Sequence, residues 1–216
     1  MIYDERVDSV AIAGLLRPYA ELNPQQLEQT ITYLELLLKW NAKVNLTSVR
    51  GAEQIVTRHF GESFFAGRQL VAVDAATSVI DLGSGAGFPG LPIAVLRPFA
   101  GVTLIESGAK KATFLNEVIY ALGLKNVKVA RQRGESFVGS ADLVMMRAVE
   151  KVEAAIPIAL NLVRPGGCLA LMIGASQTSL AMRVAHEVTW AKTVAVPGSH
   201  SRVILEGIKA DTNQTR

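Results

Sequence analysis

Asp81, Gly83, Gly85 and Gly87, followed about 20 residues later by Glu106, are the residues whose types and spacing point to chemistry. Val79, Ile80 and Leu82 read as the end of a buried parallel strand. The three glycines let the backbone turn sharply and approach a ligand closely. Pro89 suits the first turn of a helix, where its missing N–H costs little. The run is therefore strand, glycine loop and helix start, and in an α/β fold such a turn lies at the carboxyl end of a strand, where ligands bind. Gly85-Ala86-Gly87-Phe88-Pro89-Gly90 matches G-x-G-x-x-G, the dinucleotide fingerprint. Two features oppose a diphosphate. Pro89 withdraws one of the N–H groups that would cradle a phosphate, and Asp81 places a negative charge just before the loop. S-adenosylmethionine, with a sulfonium, an ammonium and no phosphate, fits that charge better. A carboxylate at Glu106, after the strand Val102–Ile105, can take both ribose hydroxyls of an adenosine. NAD would use the same carboxylate, so an NAD-dependent oxidoreductase remains a reading from another class.

The elements that must position these residues alternate strand and helix from about residue 78 onward, an α/β pattern. Helix patterns cover Leu91–Leu96, the stretch beginning near Lys110, Lys151–Val163 and Thr178–Val188. Strand patterns cover Val127–Ala130, Ala141–Met146 and Cys168–Ile173, with Arg164-Pro165-Gly166-Gly167 as the turn before the last. A final antiparallel hairpin is expected over Lys192–Val196 and Val203–Ile208, turning at Pro197–His200. Before residue 71 there is no strand pattern. A short helix carries Val10, Leu15 and Leu16 and stops near Pro18. A second opens at Asn23-Pro24, with the asparagine as N-cap, and sets Leu27, Ile31, Leu34, Leu37 and Leu38 on one stripe. Asn41 and Asn45 read as the cap and turn at its end, over Trp40 and Leu46. His59 and Ser63 lie one helical turn apart on a shared face.

Asp81-Leu82-Gly83-Ser84-Gly85-Ala86-Gly87-Phe88-Pro89-Gly90-Leu91-Pro92 resembles motif I of the RsmG (GidB) family, class I methyltransferases that modify N7 of a guanine in small-subunit (16S) ribosomal RNA. The resemblance runs from about Leu34 to Lys209. It includes Lys39-Trp40-Asn41 through Arg50, Arg58-His59 followed by Glu62-Ser63, and Glu106-Ser107 through Phe114-Leu115. Three positions depart from the family pattern: Glu62 stands for an aspartate, Met146 for a serine and Ile173 for a lysine. The resemblance implies a class I (Rossmann-like) fold, a mostly parallel twisted sheet with a final antiparallel strand plus an N-terminal helical extension. The expected division is a helical extension or lid over 1–70, an S-adenosylmethionine-binding domain over 71–210 and a polar tail over 211–216. It further implies a cofactor site of Asp81, Gly83, Gly85, Gly87, Phe88, Glu106, Gly134, Glu135 and Arg147, with the Gly134-Glu135 loop against the adenine. Arg147 and His59 are the expected catalytic residues. Arg50, Arg58, Lys110, Lys111 and Arg202 are the expected phosphate contacts, although Lys110 and Lys111 also suit a solvated helix face and a lone helical histidine also suits a structural role.

Composition bounds the rest. The 216 residues are half hydrophobic, enough for one domain with an appendage, and the net charge of +3 permits an RNA partner without requiring one. A single cysteine, Cys168, argues against an internal disulfide or a cysteine-rich zinc site, and a reduced, cytoplasmic protein without a resident metal is expected. Met1–Arg6 is too charged to begin a signal peptide, and no apolar run reaches transmembrane length. A monomer is expected, acting on 16S rRNA or the small subunit. A small-molecule class I methyltransferase is the alternative within the same chemistry.

Overall fold

The computed structural model describes residues 8–70, 77–148, 151–191 and 193–211. Residues 74–76 of the linker before the first strand, Lys192 and the tail beyond Asp211 lie outside the described residues. The strands are β1 (Ser78–Leu82), β2 (Gly101–Ile105), β3 (Val127–Ala130), β4 (Ala141–Arg147), β5 (Val163–Gly174), β6 (Val188–Trp190), β7 (Val194–Ala195) and β8 (Arg202–Lys209). They form one sheet in the order β3-β2-β1-β4-β5-β8-β6, with β7 also on β8. β1 to β5 are parallel, while β8 runs antiparallel to β5 and pairs antiparallel with β6 and β7. The order reverses at β1, whose two neighbours are β2 and β4, and that switch point opens a crevice at the strand carboxyl ends.

Both faces of the sheet are buried, which is why its central strands read as unbroken apolar runs rather than as alternation. Val79, Val102, Leu104, Leu143, Met145 and Ala170 face one core, and Ile80, Ile105, Val144, Met146, Leu169 and Leu171 face the other. The second core is closed by α7 (Val152–Leu162) and α8 (Thr178–Val184). The first is closed by α5 (Gly90–Leu96), α6 (Ala109–Ala121) and the N-terminal helices, so residues 8–70 share a core with the sheet.

Those helices are α1 (Ser9–Leu16), α2 (Pro24–Asn41), α3 (Ala52–Ile55) and α4 (Glu62–Gln69). Asn23 caps α2 in a reciprocal pair with Gln26, as Asn-Pro at a helix start predicts. Long-range bonds then dock α2. Gln29 Nε2 donates to the Leu122 carbonyl at 2.9 Å, and Trp40 Nε1 donates to Glu117 at 2.9 Å. Asn41 Oδ1 accepts from the Leu46 and Thr47 amides, closing the expected turn. Between α3 and α4 the chain makes π-turns over Val56–Gly61. Such wide turns are rare and concentrate at functional sites.

Three expectations are corrected. The helix begun at Thr178 ends at Val184, and Val188–Trp190 leaves it to pair with β8, as its β-branched and aromatic residues favour. Arg164–Gly167 lies within the span of the long β5 rather than before it, and the expected turn is a bulge there: the register with β4 jumps from Val163 to Cys168, and Gly166 holds a positive φ of 68°. Pro89 is the residue before α5, not its first turn, so Gly90 supplies the first helical N–H.

Candidate active site

A cavity of about 310 Å³ opens at the switch point. Its floor is Leu82 and Gly83 at the end of β1, and Ile105, Glu106 and Ser107 at the end of β2. Residues 132–135 after β3, Met146–Ala148 at the end of β4, and Ala155 and Ile158 of α7 complete it. Ala148 holds a positive φ of 54°, which is uncommon for a residue with a Cβ and here turns the chain at the cavity wall. A larger cavity, about 510 Å³, lies over the amino-terminal parts of β1, β2 and β3, and no residue of the glycine loop lines it.

The glycine loop is built for one conformation. Gly83, Gly85 and Gly87 all have positive φ, at 74°, 57° and 93°, where a side chain would be strained. The Gly83 and Ser84 amides both donate to the Ile105 carbonyl, at 2.9 and 3.0 Å. Glu106 is nearly buried and held at both oxygens. Oε2 accepts from the Gly85 amide at 3.0 Å, and Oε1 from the Gly108 amide at 2.6 Å. An ionised carboxylate has about four acceptor positions, so each oxygen keeps one for a ligand hydroxyl.

Asp81 lies beneath the loop. Its Oδ2 accepts from the Gly90 amide at 2.9 Å, and its buried Oδ1 has no partner. That approach requires glycine at 90, since a Cβ there would meet Asp81 Oδ2 at 2.7 Å and Leu104 Cδ2 at 2.4 Å. Burial pushes the Asp81 carboxyl up to about 7, against the opposing pull of the Gly90 amide, the Ser84 hydroxyl and the Arg147 charge. The first N–H of α5 is thereby taken by Asp81 rather than offered to a phosphate.

Arg147 projects from the tip of β4 into a part-buried polar cluster, centred on the buried Glu62, that ties the sheet to the π-turn segment. One terminal nitrogen sits 3.0 Å from His59 Nδ1, and the other donates to the Arg58 carbonyl and to Glu62 Oε2, the latter at 3.3 Å. Arg202 of β8 reaches the other Glu62 oxygen at 2.6 Å. Guanidinium only donates, so His59 Nδ1 must accept, and Nε2 carries the proton toward Thr47 Oγ1 at 2.7 Å. Burial, reinforced by the charges of Arg147, Arg58 and Arg202, pulls the His59 imidazolium down to about 3. His59 is thus neutral, with both ring nitrogens engaged. It also stacks on Phe88 at 5.0 Å, and Phe88 stacks in turn on Tyr33 at 5.2 Å.

Of the residues expected at a cofactor site, Gly83, Glu106, Gly134, Glu135 and Arg147 line the cavity. Asp81, Gly85, Gly87 and Phe88 stand behind its wall, where they shape the loop. His59 and Arg147 are brought together; Arg147 lines the cavity, whereas His59 does not and has both ring nitrogens engaged by Arg147 and Thr47. Arg58 and Arg202 belong to the same cluster, whereas Arg50 and Lys110 are exposed and Lys111 is half-buried near the Glu106 turn. Among the described residues none before Leu82 lines the cavity, so the N-terminal helices support the loop from behind.

Residues 26–201 match the family model described as rRNA small subunit methyltransferase G, GidB. The chain is 40% identical over 146 residues to the ribosomal RNA small subunit methyltransferase G of Stenotrophomonas maltophilia, covering 67% of each chain. It is 36% identical over 202 residues to the enzyme of that name from Roseiflexus castenholzii, covering 87% of this chain and 85% of that one. This chain belongs to the rRNA small subunit methyltransferase G family. Its fold is also that of TYW2 from P. horikoshii, solved in complex with MeSAdo, with a TM-score of 0.57 and 21% identity. That likeness covers 70% of this chain and 62% of the other.

Within this methyltransferase the departures from the family pattern have local explanations. Ile173, where a lysine is expected, is buried among the apolar residues of the second core and does not line the cavity. Met146 is also buried and forms cavity wall. Glu62 is the buried carboxylate that both Arg147 and Arg202 share. Thr47 and Tyr33 were the neighbours of the site least visible in the sequence, because their partners lie 12 and 53 residues away.

Proposed function

We propose that the protein transfers the methyl group of S-adenosylmethionine to N7 of a guanine in 16S rRNA, acting in the cytoplasm on the RNA or the assembling small subunit. The observation that carries the cofactor assignment is Glu106, held at both oxygens by backbone amides at the cavity floor and able to accept from a pair of ribose hydroxyls. The cofactor fits the donor set on charge as well. The carboxylate under the loop has an unpartnered oxygen, and the amides that open α5 after the glycine loop are already bonded to Asp81, Gly87 and Pro89 rather than free for a phosphate. A volume of about 310 Å³ lies at the small end of ligand cavities. Family membership and the MeSAdo-bound structure of similar fold support the same reading.

S-adenosylmethionine supplies an electrophilic methyl on a sulfonium that departs as a neutral thioether. Guanine N7 offers a free lone pair with no proton to lose, so the protein needs neither a general acid nor a general base. The engaged, neutral His59 accords with that requirement. What the chain contributes is placement and exclusion of water. Glu106 and the 134–135 turn orient the nucleoside end, the glycine loop lets its backbone approach closely, and Arg147 sets the wall at β4. Arg58 and Arg202, with Arg50, Lys110 and Lys111, supply positive charge for phosphates. The target base must be unstacked or in a loop to reach the cavity.

Small subunits from cells lacking this gene, incubated with the protein and radiolabelled S-adenosylmethionine, test the proposal. Label in 7-methylguanosine of the 16S rRNA is expected. Tight cofactor binding with no label in RNA would overturn the substrate assignment in favour of a small molecule.

A further inference from the structure

We propose that Tyr33, on helix α2, is a positioning residue for the cofactor loop, acting through the Ala86 carbonyl. This rests on the cofactor reading above and adds a residue from outside the methyltransferase motifs. Tyr33 is fully buried, and its hydroxyl donates to the carbonyl of Ala86, 53 residues away and between Gly85 and Gly87. Its ring stacks on Phe88 at 5.2 Å and 8° and meets Phe60 edge-on at 4.8 Å. The hydroxyl also packs against Gly87, where an added Cβ would lie 2.5 Å from it. One side chain therefore touches three consecutive loop residues, Ala86, Gly87 and Phe88, from the side opposite the cavity.

The physical consequence is a choice among conformations. Two glycines flanking Ala86 give the loop many accessible backbone states, and a free glycine loop would lose that freedom only on binding. Anchoring the Ala86 carbonyl selects the state in which the Gly85 amide reaches Glu106. Burial and the Asp81 charge hold the Tyr33 phenol well above its ordinary pKa, so it remains a donor across the working pH range. Helix α2 is in turn held by Gln29 and Trp40 on α6, whose preceding turn supplies Gly108 to Glu106. The N-terminal helices thus belong to the cofactor machinery, although none of their residues lines the cavity.

Tyr33→Phe keeps the ring stack and removes only the donor. Hydrogen exchange of the ligand-free protein, calorimetry with S-adenosylmethionine and urea unfolding would be read together. The expected result is exchange roughly tenfold faster in peptides spanning 83–90, with β8 peptides unchanged. Cofactor affinity should fall roughly tenfold, the change that about 1.4 kcal/mol produces and that one neutral hydrogen bond supplies. The turnover rate at saturating cofactor should stay within about twofold, as expected of uniform binding loss. Unchanged loop exchange with unchanged affinity, beside a lower urea midpoint, would overturn the proposal and leave Tyr33 a packing residue. Wild-type protein that fails to bind S-adenosylmethionine would instead defeat the cofactor reading, and loop exchange alone would then decide the role of Tyr33.

Discussion

Asp81→Asn should make the ligand-free protein gain stability relative to wild type as pH rises, while weakening cofactor binding. The Asp81 carboxyl is raised from 3.8 to about 7 in the folded protein, chiefly by burial. The folded state therefore holds a proton over a range where the unfolded state has lost it, and stability falls as pH rises through about 7. Above that pH the full shift is a penalty of roughly 4 kcal/mol. At pH 5 roughly 1.5 kcal/mol of it is already present, so the variant's relative stability should rise by about 3 kcal/mol between pH 5 and 8. The absolute difference is less informative, because asparagine leaves its amide where Oδ1 now lacks a partner, at a pH-independent cost of about 1–3 kcal/mol. Other titrating groups cancel in the comparison. His59, for example, is depressed from 6.5 to about 3 and loses stability in the opposite sense, as pH falls below 6.5. Urea unfolding at half-unit pH steps on both proteins gives the difference curve. Parallel curves from pH 5 to 8 would refute the argument, since they would mean that Asp81 ionises at an ordinary pKa. A cation in the cavity favours the ionised carboxylate, so S-adenosylmethionine binding near pH 7 should release a proton in wild type and none from this site in the variant. Calorimetry in two buffers of different ionisation enthalpy measures that release.

Glu106→Ala should weaken S-adenosylmethionine by about 1.5–3 kcal/mol, the size of a hydrogen bond to a charged group, and unchanged affinity by calorimetry would remove Glu106 from the site. Gly90→Ala should cost about 1–3 kcal/mol in urea unfolding, because its methyl would meet Leu104 Cδ2 at 2.4 Å and Asp81 Oδ2 at 2.7 Å. A wild-type midpoint would show that the α5 start can shift without cost. Binding to the small subunit should weaken steeply with salt, and Arg58→Ala should reduce the slope of log affinity against log salt by about 1. A slope that does not change would take Arg58 off the RNA.

The parts of this protein that were legible in its sequence are those set by neighbours in the chain. Strand β1, the glycine loop and the Asn23 cap follow from residues within a few positions of one another, and each forms where its pattern places it. The α8 overrun arose because a three-residue strand at Val188–Trp190 is specified by its partners Gly207–Lys209, not by its own periodicity. The polar cluster was illegible for the same reason. Arg147 reads as an isolated cation at a strand tip until Glu62, 85 residues earlier, is folded against it. Phe88 reads as a loop residue beside a ligand until Tyr33 and His59 are stacked on its faces.

That closure bears on how the RNA would be held. Arg58, Arg147 and Arg202 all act electrostatically on His59, while Glu62 is the carboxylate bonded to two of them. A buried carboxylate shared by two guanidinium groups is satisfied by geometry, and removing it would leave uncompensated cations at a cost of several kcal/mol. The excess positive charge remains on the side of Arg58, which is exposed. His59 stays neutral until about pH 3, so that excess is constant throughout the physiological range. The hold of this cluster on RNA should therefore respond to ionic strength and not, through His59, to pH between 6 and 8. Of Asp81 and His59, only Asp81, whose carboxyl is pushed up to about 7, should carry a pH dependence of methyl transfer in that interval. A rate profile inflected near 7 that flattens in Asp81→Asn and persists in His59→Asn is the expected signature. The reverse pattern would mean that the imidazole is open to the substrate and that the cluster is not closed.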